Sequence, residues 1–284
     1  MSSTVPIDGR AVFTDLDGTL LDREHRLSQA NRQTLRQLGA AGISRVIVTG
    51  RSLYSARRVL DDAFPIDVLV TSSGAGIFEF PSLTLLYRSG LRQSDTQRAV
   101  AALTALQLDF MVHEPVPDNH HFRWYRCQRD NPDFDRRLAH YADCHQPLAA
   151  NEPLPIDAAQ LLVVVPPGES DAIHAELNQR LAGLNVVRTT SPLDHISTWY
   201  EIFPSEVSKA RAASWICQHF GIDRGSTLAV GNDYNDLDLL RWGGTARVVG
   251  NAPPELRHEF EAVADNNTDG FSESVSQWLA ESNF

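Results

Sequence analysis

The segment Phe13-Thr14-Asp15-Leu16-Asp17-Gly18-Thr19-Leu20 sets two carboxylates, separated by one residue, where the apolar run Ala11-Val12-Phe13 gives way to a turn. One carboxylate at such a place can attack an electrophile, and the other can give or take a proton. Two anions this close repel by about 2 to 4 kcal/mol at an effective dielectric near 20, so both stay ionised only beside a cation or hydrogen-bond donors. The pair therefore implies a hard divalent metal, most simply Mg²⁺. Gly18 lets the chain reverse next to a ligand, and Thr19 offers a hydroxyl to the carboxylates or to the turn behind them.

A second chemical signal lies far along the chain. Of 25 basic residues all but one are Arg, and the exception is Lys209. A compact, strongly hydrated ammonium has been kept at one point in a chain that otherwise uses the planar guanidinium. A surface lysine left by codon bias would give the same count, so its neighbours decide what it means.

The elements that would position these groups follow from hydrophobic periodicity. Residues 10–16 read as a buried strand, Ser28 caps a helical pattern carrying Leu35, Leu38 and Ala41 that stops at Gly42, and Ile43 to Val48 is a further buried strand. Thr49-Gly50-Arg51 is then a turn, and Ser52 caps the next helix. The same grammar returns late: a helix over Glu206 to Phe220, a strand over Ser226 to Val230, a loop over Gly231 to Asp236, a helix over Leu237 to Trp242 and a strand over Thr245 to Val249. Alternating strands and helices predict an α/β fold with a doubly wound parallel sheet, whose active groups sit on loops beyond the carboxyl ends of the strands. Asp15 and Thr49 both lie at such ends.

Between these halves the composition changes. His113, His120, His121, His140 and His145 crowd a stretch that also holds Pro115, Pro117, Pro132 and Pro147. Strands at 108–112, 122–127, 161–165 and 186–189 alternate with helical patterns at 95–107, 133–143 and 170–182, enough for a domain of its own. The histidines show no spacing diagnostic of a metal site.

Composition bounds the remaining classes. At 284 residues with 42% apolar and 21% charged content the chain is an ordinary globular protein of one large or two modest domains. No apolar run reaches the length of a membrane span, and Met1 to Asp8 has neither a basic start nor an apolar signal core, so a cytoplasmic location is expected. A net charge of −11 argues against nucleic acid or anionic lipid as the main partner. Cys127, Cys144 and Cys217 form no C-x-x-C motif and are odd in number, which predicts reduced thiols rather than a disulfide framework or zinc site. The sequence sets no oligomeric state.

Taken in order, Asp15 and Asp17, Val48-Thr49-Gly50-Arg51, Lys209 and Gly231-Asn232-Asp233-Tyr234-Asn235-Asp236 resemble the motifs of the haloacid dehalogenase superfamily, and more closely its Cof-type sugar-phosphate phosphatases. Trp199-Tyr200-Glu201-Ile202 followed by Ser208-Lys209 resembles that family's return from cap to core. The resemblance spans nearly the whole chain. It implies a Rossmann-like core over residues 1–83 and 192–284 and an inserted α/β cap over 84–191. It implies that Asp15 attacks phosphorus to form an aspartyl-phosphate, that Asp17 protonates the leaving oxygen and later activates water, that Thr49 and the neighbouring backbone, including Gly50, hold a phosphoryl oxygen, and that Lys209 supplies positive charge. Arg51 either reaches phosphate or forms a salt bridge within the loop.

The metal implied by the resemblance takes oxygens from Asp15, the Asp17 carbonyl and the 231–236 loop. Many relatives carry Asp directly after the glycine of that loop, whereas this chain has Asn232 followed by Asp233. Either Asp233 coordinates directly, or Asn232 does so with Asp233 anchoring it, and Asp236 supports the site in both arrangements. In the cap, the polar and aromatic stretch containing His113, His121 and Tyr125 suits sugar hydroxyls, and equally suits an exposed loop entering a half-buried strand.

The expected function is a Mg²⁺-dependent phosphatase of a small phosphorylated metabolite, with a sugar phosphate as the leading substrate class. A sugar phosphomutase would use the same aspartyl-phosphate, and a phosphosugar-binding regulator would have lost turnover. A P-type ion pump shares the phosphorylated aspartate but requires membrane spans that this sequence lacks.

Overall fold

The computed structural model describes residues 8–127, 130–149, 153–168 and 170–281. They divide into two compact units, one built from the described residues up to Arg51, from Ser55–Tyr87 and from Ser208 onward, the other from Ser52–Tyr54 and Arg88–Val207.

In the first unit the chain runs through β1 (Ala11–Thr14), α1 (Gln29–Ala40), β2 (Ser44–Val48), the single turn α2 (Leu53–Ala56), β3 (Val68–Thr71), β4 (Gly76–Glu79) and β5 (Leu85–Arg88). The second unit is formed by α3 (Gln93–Ala105), β6 (Phe110–His113), β7 (Phe122–Tyr125), α4 (Pro132–His140), β8 (His145–Pro147), β9 (Leu161–Val165), α5 (Ser170–Arg180), β10 (Leu184–Thr190) and β11 (Thr198–Pro204). The first unit resumes with α6 (Lys209–Phe220), β12 (Thr227–Gly231), α7 (Leu237–Trp242), β13 (Thr245–Val248), α8 (Pro254–Glu259), β14 (Glu261–Ala262) and α9 (Gly270–Glu281). No described helix is long and apolar enough to cross a membrane.

The core sheet has the order β14-β13-β12-β1-β2-β3-β4-β5. From β14 to β3 every pairing is parallel, and β4 turns back antiparallel on β3. β1 and β12 are buried along their whole length, which explains their near-continuous apolar sequences: a parallel sheet with helices on both faces leaves no solvent side. Ala11, Phe13, Val46, Val48, Val68, Val70 and Ala229 pack one such face against Ala213, Ile216 and Leu239 of α6 and α7.

The register carries the functional consequence. Thr14 lies beside Val230 of β12 and beside Ile47 of β2, so Asp15, the 231–236 loop and Thr49 leave the sheet at one level. Their loops share the carboxyl edge of the three central strands, where open α/β sheets bind their ligands.

The inserted sheet has the order β10-β11-β9-β6-β7-β8. Its odd and even positions separate cleanly: Phe110, Val112, Leu161 and Val163 pack with Leu103 of α3 and Leu177 of α5, whereas Met111, Phe122, Leu162 and Trp199 pack with Phe134 of α4. Both expected boundaries of the insert shift. Residues 84–87, read as cap, belong to the first unit, and residues 192–207, read as core, belong to this one, because β11 pairs along its full length with β10 and also with β9. The chain returns to the first unit at Ser208.

Candidate active site

Ser208 caps α6 by accepting the backbone N–H of Arg211. This places Lys209 at the first helical position, where it is almost wholly buried. Its Nζ donates to Asp15 Oδ1 at 2.7 Å and to Asp236 Oδ1 at 2.6 Å. Burial acts to neutralise Lys209, but the charges and hydrogen bonds of the two carboxylates outweigh it and hold the ammonium above the ordinary lysine range. Asp15 is raised as well: burial, and then the charge of Asp236, push its carboxyl up to about 7 against the pull of Lys209. One ammonium is shared between two carboxylates.

Asp236 is fully buried and uses both oxygens. Oδ1 takes the Lys209 bond, and Oδ2 accepts the backbone N–H groups of Asn232 at 2.9 Å and Asp233 at 3.1 Å. The carboxylate thus closes the 231–236 loop over Gly231, where a Cβ would stand 2.6 Å from Asp236 Cβ. Asp233 caps the short turn that follows, accepting from Tyr234 N at 2.7 Å, and burial raises its own carboxyl pKa. Asn232 points the other way, its Oδ1 accepting from Thr19 Oγ1 at 3.0 Å. Its Nδ2 would lie 2.8 Å from a Cβ at Gly18, which adopts φ +73°, so glycine there serves both the turn and the close approach of the amide.

Asp17 is held differently from Asp15. Arg51 grips it in a two-point fork, Nε to Oδ2 at 2.6 Å and Nη2 to Oδ1 at 2.6 Å. His25 Nδ1 stands 3.1 Å from the same Oδ1. The salt bridge expected within the Arg51 loop is not the one observed: Arg51 pairs instead with Asp17 on the loop after β1. Thr49 is buried, and its hydroxyl accepts the Arg51 N–H at 3.1 Å, closing the turn through Gly50.

Sequence reading did not single out the neighbours of this turn. Ser72 and Ser73 follow β3 with φ of 48° and 55°, and Ser73 N donates to the Thr49 carbonyl at 3.0 Å. Non-glycine residues held left-handed beside a candidate site store conformational strain there. The run Thr71-Ser72-Ser73-Gly74 after an apolar strand was the available signal. His25, also left-handed at φ 57°, had none.

Four carboxylates, Asp15, Asp17, Asp233 and Asp236, thus stand against two fixed cations, Lys209 and Arg51, on the loops of one sheet edge. The donors are oxygens throughout, and burial, with the charge of Asp236 adding to it, raises the Asp15 and Asp233 carboxyls. That donor set fits a hard divalent cation such as Mg²⁺.

In the inserted unit the expected cap residues separate. His113 is buried on the Trp199 face of the sheet, with Nδ1 2.7 Å from the Asn119 carbonyl, and burial followed by the charge of Arg137 lowers its pKa to about 3. His121 is exposed and lies next to His120, their ring centroids 4.1 Å apart. Tyr125 is on the opposite face, stacked on Phe110 at 5.1 Å, because the alternation of a strand sends residues 122 and 125 to different sides. The face with His113 instead carries residues not proposed from sequence: Gln160, whose Nε2 donates to Glu201 Oε1 at 3.4 Å, and Arg137, whose guanidinium lies 4.7 Å from the Trp199 ring centroid. His113 Nε2 and Gln160 Oε1 are buried with no hydrogen-bond partner among the described residues.

A doubly wound core thus sets an aspartate pair, a buried lysine and an acidic loop along one sheet edge, where open α/β folds carry their chemistry. Residues 12–278 match the family model of haloacid dehalogenase-like hydrolases, and the chain belongs to that family. It is 24% identical over 282 residues to an HMP-PP phosphatase of Yersinia pseudotuberculosis, covering 95% of this chain and 96% of the relative. It is 22% identical over 274 residues to the putative phosphatase YxeH of Bacillus subtilis, covering 94% and 97%. Among solved structures it is similar to SMU.1108c of Streptococcus mutans, with a TM-score of 0.78 at 17% identity over 95% of this chain and 99% of that one. It also resembles the subclass IIB sugar phosphatase BT4131, with a TM-score of 0.74 at 20% identity over 95% and 99%.

Proposed function

We propose that the protein is a metal-dependent phosphatase of a small phosphorylated metabolite, with sugar phosphates as the leading substrate class. The observation that carries this reading is the unequal treatment of two neighbouring carboxylates: Asp15 is buried against Lys209, whereas Asp17 is gripped by Arg51. Both oxygens of Asp17 accept from the Arg51 guanidinium, so Asp17 carries a proton only once it turns out of that fork toward the leaving oxygen. The phosphatase names of the relatives and the sugar phosphatase among the structural neighbours support the choice of chemistry and substrate class.

Asp15 attacks phosphorus through the oxygen not bonded to Lys209, the bond to the leaving oxygen breaks, and Asp17 gives that oxygen a proton. Asp17 then takes a proton from the water that releases phosphate from Asp15. Lys209 steadies the charge on Asp15 and the transferring group, and the Thr49 hydroxyl with the Gly50 and Arg51 backbone orients a phosphoryl oxygen. Mg²⁺ would be held by Asp15, the Asp17 carbonyl and Asn232 or Asp233, where it supplies charge neutralisation to the phosphoryl oxygens. Asn232 is the stronger candidate from the loop, because its side chain turns toward the Thr19 hydroxyl while Asp233 caps Tyr234.

The test is a panel of phosphorylated metabolites with release of inorganic phosphate as readout, run with wild type and Asp15→Asn in Mg²⁺. Hydrolysis without a bisphosphate activator by wild type, and a fall of at least roughly a thousandfold in the variant, is expected. Equal turnover by the two proteins would remove Asp15 as nucleophile, and phosphoryl transfer to a second sugar hydroxyl in place of phosphate release would make the protein a mutase.

A further inference from the structure

The inserted unit holds a second cluster of ligand-type side chains, which adjoins His113 through Asn119 and His120. β7 and β8 are parallel neighbours with Phe122 opposite His145. One residue earlier on each strand stand His121 and Cys144, and the strand spacing of about 4.8 Å sets them side by side. The backbone holds this arrangement: Phe122 N donates to the Cys144 carbonyl at 3.0 Å, His121 N to the Asp118 carbonyl at 2.9 Å, and Glu114 N to the His121 carbonyl at 2.9 Å. His120 completes the group. One ligand atom from each of His120, His121 and Cys144 lies within 4.8 Å of the other two.

We propose that His120, His121 and Cys144 form a binding site for a borderline transition-metal cation of the Zn²⁺ class. Two imidazoles and a thiolate match the ligand preference of that class and not of Mg²⁺, which takes oxygens. Bond lengths near 2.0 to 2.3 Å set tetrahedral donors about 3.3 to 3.6 Å apart, so side-chain rotation of the order of 1 Å closes the present group around an ion. The His120 Nδ1 is buried with no partner among the described residues, an arrangement that leaves a lone pair or proton unsatisfied unless something binds there. On binding, the Cys144 S–H proton leaves to solvent as the sulfur–metal bond forms, and the fourth position stays open to water. The ion would join the start of the three-residue edge strand β8 to β7.

Nothing in the motifs announced this site, since His120-His121 and Cys144 are separated by a helix and meet only through strand pairing. The test uses the full-length protein in saturating Mg²⁺, titrated with Co²⁺ as spectroscopic probe and with Zn²⁺ as competitor. One equivalent of Co²⁺ should give tetrahedral visible bands with a thiolate-to-cobalt charge-transfer band, displaced by Zn²⁺. Cys144→Ser should abolish the charge-transfer band and His121→Gln should weaken Zn²⁺ binding at least about tenfold, with far-UV circular dichroism confirming the fold. Cys127→Ser and Cys217→Ser should bind as wild type. Zn²⁺ should also protect Cys144 of the wild-type protein from iodoacetamide, read by peptide mass, which keeps the outcome independent of any variant's folding. Absence of the charge-transfer band and of Cys144 protection in the wild type, or unchanged Zn²⁺ affinity in both folded variants, would overturn the proposal.

Discussion

Arg51 and Asp17 form a two-point ion pair, with both carboxylate oxygens held at 2.6 Å, and the arginine lies two residues beyond Thr49. The loop expected to hold phosphate therefore also sets the position of the expected general acid. Arg51→Lys keeps the charge but loses the fork. Turnover of an alkyl phosphate should fall by about tenfold or more, while an activated aryl phosphate, which scarcely needs a proton on its leaving group, should lose less in a single turnover. Equal losses for both substrates would show that the fork does not act through proton transfer.

Lys209 neutralises parts of two buried carboxylates at once, so two substitutions separate its roles. Lys209→Met leaves Asp15 and Asp236 without their cation and should cost on the order of 3 to 5 kcal/mol in unfolding free energy measured by urea titration. Lys209→Arg keeps a cation but cannot fit a planar fork into the position of a compact ammonium without moving Asp15 or the 231–236 loop. Phosphate release should drop strongly in the arginine variant even where the protein remains folded. Wild-type kcat in Lys209→Arg would remove the lysine from the chemistry.

The metal loop offers adjacent neutral and anionic oxygens. If Asn232 is the ligand, Asn232→Asp should lower the Mg²⁺ concentration needed for half-maximal activity, and Asn232→Ala should raise it more than Asp233→Asn does. Asp236→Asn should raise it by about 10- to 100-fold, because Asp236 holds the loop through the Asn232 and Asp233 amides. Activity titrated against Mg²⁺ after chelation distinguishes the orders. The opposite ranking of Asn232→Ala and Asp233→Asn would transfer the ligand role to Asp233.

His113 gives a prediction about acid stability. Its folded pKa, lowered to about 3 by burial and then by Arg137 and His120 against the Asn119 carbonyl, lies below the unfolded value of 6.5. The unfolded chain thus binds a proton that the folded state refuses: the contribution is complete above pH 6.5 and is lost as pH falls toward 3. Between pH 6.5, where the unfolded group is half protonated, and pH 5 the loss is about 1.6 kcal/mol. Denaturant unfolding of His113→Gln should show a correspondingly smaller drop over that interval, and an identical pH dependence would show that His113 is not the group responsible.

Much of the core was legible in the chain because its signals are local. β1, β2 and β12 are apolar runs closed by small polar residues, and Asp15, Thr49 and the 231–236 loop follow them directly. The helix that presents Lys209 starts one residue after Ser208, a cap recognisable by type. The single lysine of the sequence acquired its meaning from these neighbours.

What depends on partners distant in sequence was decided only in three dimensions. Whether Arg51 meets phosphate or Asp17 rests on a contact across 34 residues, and the exclusive use of Asp236 for Lys209 and two amides rests on how Gly231 lets the loop close. The strand β11 reads as an apolar run that either sheet could bury, and its pairing with β9 and β10 is what assigns it to the inserted unit. Tyr125 lies on the other face from Phe122 by strand parity, and the His120, His121 and Cys144 group exists because β7 and β8 are parallel and in that register. Types and spacings along the chain state which chemistry is possible; register and strand pairing, set by burial and backbone hydrogen bonds over long sequence separations, determine which of those groups meet.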